Sequence, residues 1–598
     1  DKKIFKKPFL GHLETRLDGR IGSPDAILLL GGLPDEFKKA YPFRPLTLHV
    51  GLKGDLQQLD ISRLMVDLPG AFSISGKGKF NNLGNNLKRK GHVDLNMSMR
   101  NLQFLVGIAG FKPGGNLAVP DSMNLKASIG LDGLRYNADV ALKERGGTVK
   151  MVASCNTTKR DYQAKIFVDA LQLHHFLPKD SLYELSAEFT AKGSGFNPLA
   201  RKSYVEARMS LKHLQYGRWH ISDVDLNALI KNAYLKANLK SNNTLLKMEG
   251  NCGLSLGTRY LDGNVQMAVE QLDIYKLGFA SQPLRRPFAF NLQGQAHRDS
   301  ISVKANAGDL DLDFRSHNNF QTLLKQTNKL ATVLKKQIKA RYLDHGAIRK
   351  VLPTAGIQLR MGKNNPVSDF LATKDIRFND FLLRFGMTPR IGINGRTAIH
   401  GLRVDSLQLD TLYFTVRQDT SRMNLQGGII NGPKNPQYVF RSTLTGEIRN
   451  NDADLSLNFL DSKGNVGLQI GVNARPVLGG QNKKADGILF RLTPDEPIIA
   501  FRKFHFIDNN NWIYLHKNMR VYASVDMMDK DNVGFRMHSI KEDSVSLQNM
   551  DIELRRIRLD EVSRILPYFP DFSGRLSAET HYIQTATSLQ ISTEANVE

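Results

Sequence analysis

The feature that most constrains this chain is an alternation of apolar and polar residues, which residues 184–196, ELSAEFTAKGSGF, display clearly. Leu185, Ala187 and Phe189 fall on one side of an extended backbone, and the intervening residues, such as Glu188, fall on the other. Successive side chains of a β-strand point to opposite faces, so this pattern predicts a strand with one apolar face and one polar face. The same alternation recurs along nearly the whole chain. It predicts a mostly β protein without a TIM-like or Rossmann-like core.

The alternating strands are organised as degenerate repeats. Each repeat has a short apolar lead, then a proline, then an alternating strand that closes on glycine. Repeats of this kind occupy 59–78, 171–193, 272–294, 376–395 and 557–579, with a looser copy at 119–130. Proline cannot donate a hydrogen bond to a strand ladder, so it suits an edge or a break between repeats. Hairpin-like strands lie between these marks, and together they predict a long antiparallel meander.

One segment, residues 318–343, breaks the alternation. Its apolar residues recur at three- and four-residue spacing, as Leu323, Leu330 and Leu334 illustrate, and this spacing predicts an amphipathic helix. A shorter helix is expected from Asn365 to Thr373. Two roles remain open for the long helix, which either packs on a sheet face or lies on a membrane surface or in a groove.

The predicted helices divide the chain into three parts. The first part, 1–316, and the last, 375–598, consist of β-groove repeats, meaning strands whose apolar faces are expected to line a common groove. A helical insertion over 317–374 lies between them. The sequence begins with aspartate and its last residues still alternate, so we expect an internal portion of a longer protein. It contains no signal peptide and no apolar run near the roughly 18 residues that a spanning helix needs. A membrane anchor or export signal is therefore expected outside this portion.

The net charge of +24 raises the question of nucleic-acid binding. Lys and Arg alternate with Asp and Glu along the strands, and no zinc spacing, basic zipper or aromatic RNA-binding motif is present, which argues against it. A basic surface facing anionic lipid headgroups fits equally well. Cys155 and Cys252 share the parity of their apolar neighbours, so we expect two buried thiols that behave as small hydrophobes. A disulfide across a folded-over sheet is the alternative.

Motifs that suggest chemistry stand in contexts that defeat them. GLSLG matches the nucleophile-elbow pattern, but Ser255 lies in strand alternation and no helix follows. The DLDLD stretch at 309–313 lacks the glycine and the distal glutamate of a calcium loop, and we expect its carboxylates on one solvated strand face. His174 and His175 lack metal-ligand spacing, and adjacent strand residues point to opposite faces. We therefore expect neither an enzyme nor a bound metal or cofactor.

An apolar face of this length must be covered, and four architectures do so. Separate β-sandwiches would bury it within each module, a parallel β-helix would need short rungs, and an outer-membrane barrel would turn it to lipid. The repeats lack the distinct linkers of separate sandwiches, and the hairpin signals disfavour a parallel β-helix. The lack of regular aromatic girdles disfavours a barrel. The fourth is a long antiparallel sheet curled along its length, with the apolar face lining an open groove. Large exposed apolar patches are rare in soluble proteins unless they bind something, and such a trough suits acyl chains.

The repeats resemble those of the AsmA-like, TamB-type proteins of diderm bacteria, particularly Bacteroidetes-like members. The stretches FLPKDSLYELSAEFTAKGSGFNPL, LDGNVQMAVEQLDIYKLGF and ILPYFPDFSGRLSAETHY carry the resemblance, as does IQLRMGKNNPVSDFLATKDIRFNDFLLRF. The resemblance implies a periplasmic protein, anchored in the inner membrane by a segment absent from this portion, whose β-taco groove carries phospholipid towards the outer membrane. An older assignment for the family is the assembly of outer-membrane proteins with a TamA-like barrel partner. The family offers no catalytic residues to transfer.

The residues expected to line the groove follow from strand parity alone. Each lies at an apolar position of its strand, and several are small or flexible, which suits contact with mobile acyl chains. The predicted lining residues are Met151, Ala153, Cys155, Leu185, Ala187, Phe189, Val265, Met267, Val269, Leu576, Ala578 and Tyr582.

Overall fold

The structure is a computed structural model that describes residues 12–29, 41–100, 102, 117–340, 343–450, 452–479, 484–540 and 546–598. Strands account for 61% of it and helices for 9%, which confirms the expectation of a mostly β protein. The chain forms two compact units. Unit 1 comprises the described residues up to Arg259 together with Gly263–Phe279, and unit 2 comprises Tyr260–Asp262 and Ala280–Glu598.

Unit 1 is an antiparallel meander in which each strand pairs with its neighbour in sequence. The short strand β12 is the exception to this order, because β11 pairs both with β12 and with the strand after it. The strands of unit 1 are β1 (Leu13–Ile21), β2 (Leu46–Gly54), β3 (Gln58–Leu68), β4 (Phe72–Asn81), β5 (Lys90–Met99), β6 (Met123–Asp132), β7 (Arg135–Glu144), β8 (Gly147–Asn156), β9 (Asp161–Gln172), β10 (Leu182–Ser194), β11 (Tyr204–Tyr216), β12 (Trp219–Ile221), β13 (Val224–Lys231), β14 (Tyr234–Asn242), β15 (Leu246–Ser255) and β16 (Gly263–Leu272).

Unit 2 continues the same scheme of antiparallel neighbours. Two very short strands, β21 and β30, pair at the ends of longer ones. The strands of unit 2 are β17 (Phe290–Ala296), β18 (Ile301–Ala307), β19 (Leu310–Ser316), β20 (Ala355–Gly362), β21 (Ile376–Arg377), β22 (Asp380–Thr388), β23 (Gly392–Val404), β24 (Leu407–Gln418), β25 (Arg422–Asn431), β26 (Phe440–Arg449), β27 (Ala453–Leu460), β28 (Val466–Gly479), β29 (Lys484–Ile499), β30 (Arg502–Lys503), β31 (His505–His516), β32 (Val521–Met528), β33 (Gly534–Ser539), β34 (Gln548–Arg558), β35 (Arg575–Gln584) and β36 (Leu589–Val597).

Five α-helices and one 3₁₀ turn, Leu173–His175, interrupt the described strands. The helices are α1 (Ser23–Leu29), α2 (Phe320–Ala340), α3 (His345–Val351), α4 (Pro366–Ala372) and α5 (Leu559–Ile565). Both helices predicted from the sequence are present, the long one as α2 and the short one as α4. Proline at the first turn of α4 and the Asn365 side chain, which accepts from the Ser368 amide at 2.8 Å, explain where α4 begins. Much of α2 is exposed, including Leu324 and Ile338.

The hairpin between β13 and β14 shows how local sequence sets the turns. Asn232 and Ala233 both have positive φ angles of 55° and 56°. A two-residue turn with both central residues in this region matches the right-handed twist of the flanking strands. The tight turn fixes the register so that Leu226 lies opposite Leu239.

Small packed clusters lie at strand ends within each unit. In unit 1, Leu68, Met99 and Met123 form one such cluster beneath α1, with Ala26 of that helix. In unit 2, Leu409, Phe440 and Phe459 form another, against which Ile565 of α5 packs, and Phe504, Met527 and Val533 form a third. The residues with near-zero exposure are thus concentrated where a helix or loop overlies the apolar side of the strands.

Candidate functional site

The predicted lining residues of unit 1 lie on one face of its sheet. Directly opposed residues of antiparallel strands share a face. Ile166 of β9 lies opposite both Met151 of β8 and Phe189 of β10, and Phe189 lies opposite Met209 of β11. The register continues this apolar row through Leu226, Leu239 and Gly250 to Met267 of β16.

Two further rows run parallel to this one on the same face. One contains mostly small residues, namely Ala138, Ala153, Ala164, Ala191, Ala207, Ala228, Ala237, Cys252 and Val265. The other contains Val149, Val168, Ala187, Leu211, Val224, Ser241, Met248 and Val269. Nine predicted residues of β8, β10 and β16 therefore belong to one apolar surface, since Cys155 and Leu185 continue the alternation of their strands.

Burial is graded across this apolar surface. Ala187 is 2% exposed and Val269 is 4% exposed, whereas Phe189, Met151 and Met267 in the next row are only half-buried. The two cysteines are free and also half-buried, so the expectation of fully buried thiols is wrong. Cys252 stands in the row of small side chains, whereas Cys155 lies opposite Tyr136 and Tyr162.

The remaining predicted residues, Leu576, Ala578 and Tyr582, lie on β35 in unit 2. They oppose Ile557, Leu554 and Met550 of β34, and so they share an apolar face of that unit. Ala578 is buried, while Leu576 and Tyr582 are half-buried, and the Tyr582 hydroxyl donates to Gln584 Oε1 at 3.1 Å.

Unit 2 carries an apolar row of its own that parity reasoning did not name. It comprises Gly294, Val303, Phe314, Ile357, Phe385, Gly395, Val416, Leu425, Gly446, Leu455, Val472 and Leu492. Several large side chains on this face are exposed, with Phe414 at 39%, Leu444 at 39% and Leu455 at 41%. The apolar face of unit 2 is thus incompletely covered by the described residues.

Glycines within the apolar rows make room for side chains from the next strand. A Cβ added at Gly76 would lie 2.6 Å from Leu95 Cδ2, and one at Gly395 would lie 2.7 Å from Phe385 Cδ2. At Gly193 the obstacles are the Tyr204 carbonyl oxygen and the Tyr162 hydroxyl, the latter 2.6 Å away. Gly76, Gly193 and Gly395 therefore have a packing role, because a side chain of a neighbouring strand occupies the space that a Cβ would need.

The extent of uncovered surface is large. Exposed apolar side chains also occur on the polar side of unit 1, with Val152 at 59% and Phe167 at 46%. Each strand buries its apolar side chains mainly against its neighbours in the same sheet. A large part of both faces therefore remains accessible.

The polar face of unit 1 is stabilised by charge pairs that oppose each other directly. Lys192 lies opposite Glu206 at 3.0 Å, and Lys240 lies opposite Glu249 at 2.7 Å. The Tyr204 hydroxyl donates to Glu206 at 2.8 Å, and this bond, with those from Lys192 and Arg208, lowers the pKa of Glu206 to about 2. Each of these charges has a partner of opposite sign, as expected for a solvated strand face.

A buried carboxylate is the main polar feature of unit 1 that the sequence reasoning missed. Glu144, at the end of β7, is fully buried, and its Oε1 lies 2.7 Å from His175 Nδ1, while its Oε2 has no hydrogen-bond partner. His174 and His175 lie in a 3₁₀ turn and not in a strand, so their rings come within 4.1 Å, contrary to the expectation that they diverge. Burial and the neighbouring His175 lower the pKa of His174.

The GLSLG and DLDLD motifs both lie at the ends of strands. Ser255 ends β15, and a turn, not a helix, follows it. Asp309 precedes β19 and accepts from the Asn364 amide at 2.8 Å and from Asn365 Nδ2 at 2.7 Å. Asp311 and Asp313 share one face of β19 as expected, whereas Asp309 lies outside the strand and anchors the loop before α4.

Metal-binding clusters and membrane-spanning helices are both absent from the described ranges. Among those residues, no group of three or more His, Cys, Asp and Glu side chains is arranged to hold a metal ion. None of the helices in the same ranges is both long and apolar enough to cross a bilayer. No family model, no curated protein and no solved structure matches this sequence.

Proposed function

We propose that the chain is part of a conduit that carries phospholipid between the inner and outer membranes of a diderm bacterium, with acyl chains lying against its apolar sheet face. The observation that carries the proposal is the register. In unit 1 the row through Phe189 stays apolar from Leu17 of β1 to Met267 of β16, and a comparable row crosses unit 2. If polar residues interrupted the apolar face, a lipid would be held at one site. A continuous apolar face lets a lipid move along it.

The physical chemistry of such a face suits acyl chains. Removing apolar surface from water contributes about 25 cal/mol per Å², or about 0.8 kcal/mol for each buried methylene. This attraction has no direction, and equivalent positions lie roughly 4.8 Å apart from strand to strand. A lipid held in this way moves along the row without losing a specific hydrogen bond at each step.

The fold supports this proposal over a stack of sandwiches. In a sandwich, the apolar face of one sheet is covered by a second sheet roughly 10 Å away, and its central residues are fully buried. Here the described strands of each unit pair in chain order, and Phe189 and Phe414 in central rows retain exposure. The curled β-taco groove, the periplasmic location and an inner-membrane anchor outside this portion belong to the same proposal and rest on the resemblance to TamB-type proteins.

A scaffold for outer-membrane polypeptides, working with a TamA-like barrel, is the second candidate. This candidate rests on the resemblance to TamB-type proteins, and it would add a strand of the client polypeptide to a free edge of the sheet. Such an edge binds another strand through its backbone. The scaffold requires the edge and tolerates changes in the apolar rows, whereas the conduit requires the rows.

The experiment combines bound-lipid analysis with a lipid-transfer assay between vesicles. Wild-type protein is purified, its co-purifying lipid is identified by mass spectrometry, and transfer is compared with that of Phe189→Asp. We expect phospholipid on the wild type and at least about tenfold slower transfer by the variant, since an unpaired carboxylate among acyl chains costs several kcal/mol. The melting temperature should change little, because water reaches this half-buried position when lipid is absent.

Thr190→Asp is the matched control. It adds the same charge one residue further along β10, on the polar face, opposite Lys165 and Arg208. Transfer by this variant should equal that of the wild type. Glu188→Lys is a poorer control, because Glu188 Oε1 lies 2.9 Å from Lys165 Nζ. Wild-type protein free of lipid, together with a large loss of stability in Phe189→Asp, would refute the conduit and indicate a closed core.

A further inference from the structure

A cleft on the polar face of unit 2 is not explained by lipid transport. It crosses β19, β20, β22, β23 and β24 and has a volume of about 890 Å³. Its floor contains Gly356 and Gly386, which lie opposite each other. A Cβ added at Gly356 would find no atom nearer than 3.5 Å, and one at Gly386 none nearer than 3.9 Å. Because both alternate with Ile357 and Phe385 of the apolar row, the cleft opens on the other side of the sheet.

The lining of this cleft is strongly basic. Arg315, Arg384, Arg396 and Arg417 contribute to it, all of them exposed, and Asp313 is the single carboxylate among the lining residues. Asp313 is engaged with Arg315, whose Nη2 and Nε lie 2.6 and 3.0 Å from its two oxygens. This bidentate bond lowers the pKa of Asp313 and leaves three arginines without a carboxylate partner among the described residues.

The positions of these arginines are electrostatically unfavourable in the absence of a bound anion. Arg384 of β22 lies directly opposite Arg396 of β23, and like charges in directly opposed positions are destabilising. Arg422 and Arg449 also oppose each other, but Glu447 lies within 3.3 Å of the first and 2.7 Å of the second. Among the described residues, a carboxylate thus lies between one pair of opposed arginines and none lies between the other.

We propose that this cleft binds a phosphate group, either on a lipid headgroup or on a soluble organophosphate. Arginine presents donors in a planar fork that matches phosphate oxygens, so opposed arginines on adjacent strands can hold one group from two sides. Asn394 and Thr415 add neutral donors to the lining, and the open glycine floor admits a group larger than an inorganic ion. The site lies on the polar face, so it does not depend on the proposed conduit.

The test uses the whole chain and two kinds of probe. Inorganic pyrophosphate is titrated by calorimetry, and sedimentation is measured with phosphatidylcholine vesicles that do or do not contain phosphatidylglycerol. Binding of pyrophosphate alone indicates a soluble organophosphate, and binding of the anionic vesicles indicates a headgroup. Absence of binding to both probes would overturn the proposal.

Charge-removing variants localise the site. The double variant Arg384→Gln/Arg396→Gln should weaken binding about tenfold or more, because hydrogen bonds between charged partners are the strong ones. Arg360→Gln is the control, since Arg360 is an exposed arginine of β20 that does not line the cleft. An equal loss with Arg360→Gln would show non-specific attraction to a basic protein and would overturn the site.

A shape variant separates the cleft from its charges. Gly386→Leu keeps every arginine and fills the floor, and a Cβ at this position would meet no atom nearer than 3.9 Å. We expect it to abolish pyrophosphate or vesicle binding while the melting temperature is maintained. Undiminished binding by this variant would show that the probe binds elsewhere on the polar face.

Discussion

The apolar row through Phe189 and the segment around α3 use apolar residues of similar size to different effect. Phe189 in the middle of β10 is half-buried, whereas Ile348 in α3 is 1% exposed and Leu352, at its C-terminal end, is 0% exposed. Alternation along a strand produces an apolar face but does not cover it. Complete burial of a large side chain requires a second layer, and Ile348 of α3 lies in such a layer while Phe189 does not.

The attachment of α3 is correspondingly specific. Asp344 caps the helix by accepting from the Ala347 amide at 2.8 Å. His345 is fully buried, with its Nε2 3.0 Å from the Ile448 carbonyl and its Nδ1 3.1 Å from Gln418 Nε2. The Gln418 amide oxygen accepts from the Ile393 amide, so its NH₂ group faces Nδ1, and the imidazole is therefore neutral with its proton on Nε2.

The largest loss of stability is expected when a fully buried side chain of α3 is truncated. Ile348→Ala should lower the free energy of unfolding by about 2–5 kcal/mol, because removal of a fully buried side chain loses transfer free energy and leaves a cavity. Urea denaturation followed by circular dichroism measures the change. A loss below about 1 kcal/mol would mean that α3 is not part of a packed layer.

A smaller effect, dependent on pH, should come from His345. Burial lowers its pKa below the ordinary value, and the hydrogen bond to the Ile448 carbonyl, with the nearby Asp419 and Asp344, offsets this only in part. A group with a depressed folded pKa contributes stability above its unfolded pKa of about 6.5, and that contribution is lost as the pH falls. Wild-type stability should therefore decline more steeply between pH 7.5 and 5.5 than that of His345→Gln.

The comparison with His345→Gln isolates this residue. The pKa values of His174 and His538 are also lowered by burial, and their contributions to the pH dependence are common to both proteins. The measurement is a series of urea titrations across the pH range. Parallel pH profiles for the two proteins would contradict a role for His345 protonation.

The smallest change in stability is expected in the open row. Phe189→Ala should cost about 1 kcal/mol, well below the 3–5 kcal/mol usual for phenylalanine in a closed core, because the residue retains water contact in the folded state. The same urea titration reports it. A cost equal to that of Ile348→Ala would remove the distinction between the two regions.

Parity in the sequence was sufficient to identify the faces. The positions chosen on β8, β10 and β16 share one apolar surface because side chains alternate regardless of which strand is the neighbour. The helix over Phe320–Ala340 was likewise visible in its spacing. Both features depend on local periodicity alone.

Features that depend on register were not accessible in this way. Arg384 and Arg396 are unremarkable in sequence, and only the pairing of β22 with β23 places them opposite each other. The burial of His345 depends on strand ends more than 70 residues away, at Gln418 and Ile448. The histidines at 174 and 175 were misjudged because a 3₁₀ turn replaced the expected strand.

The pairing of strands in chain order has a consequence for how such a protein changes length. Within each unit almost every strand contacts only the strands before and after it. Each hairpin therefore contacts the rest of the sheet only through its two outer edges. Adding or deleting one hairpin preserves the direction of all other strands and the side on which their apolar residues lie. Insertion or deletion of hairpins during evolution can therefore change the width of a sheet, measured across its strands, in steps of roughly 10 Å, which is two strand spacings.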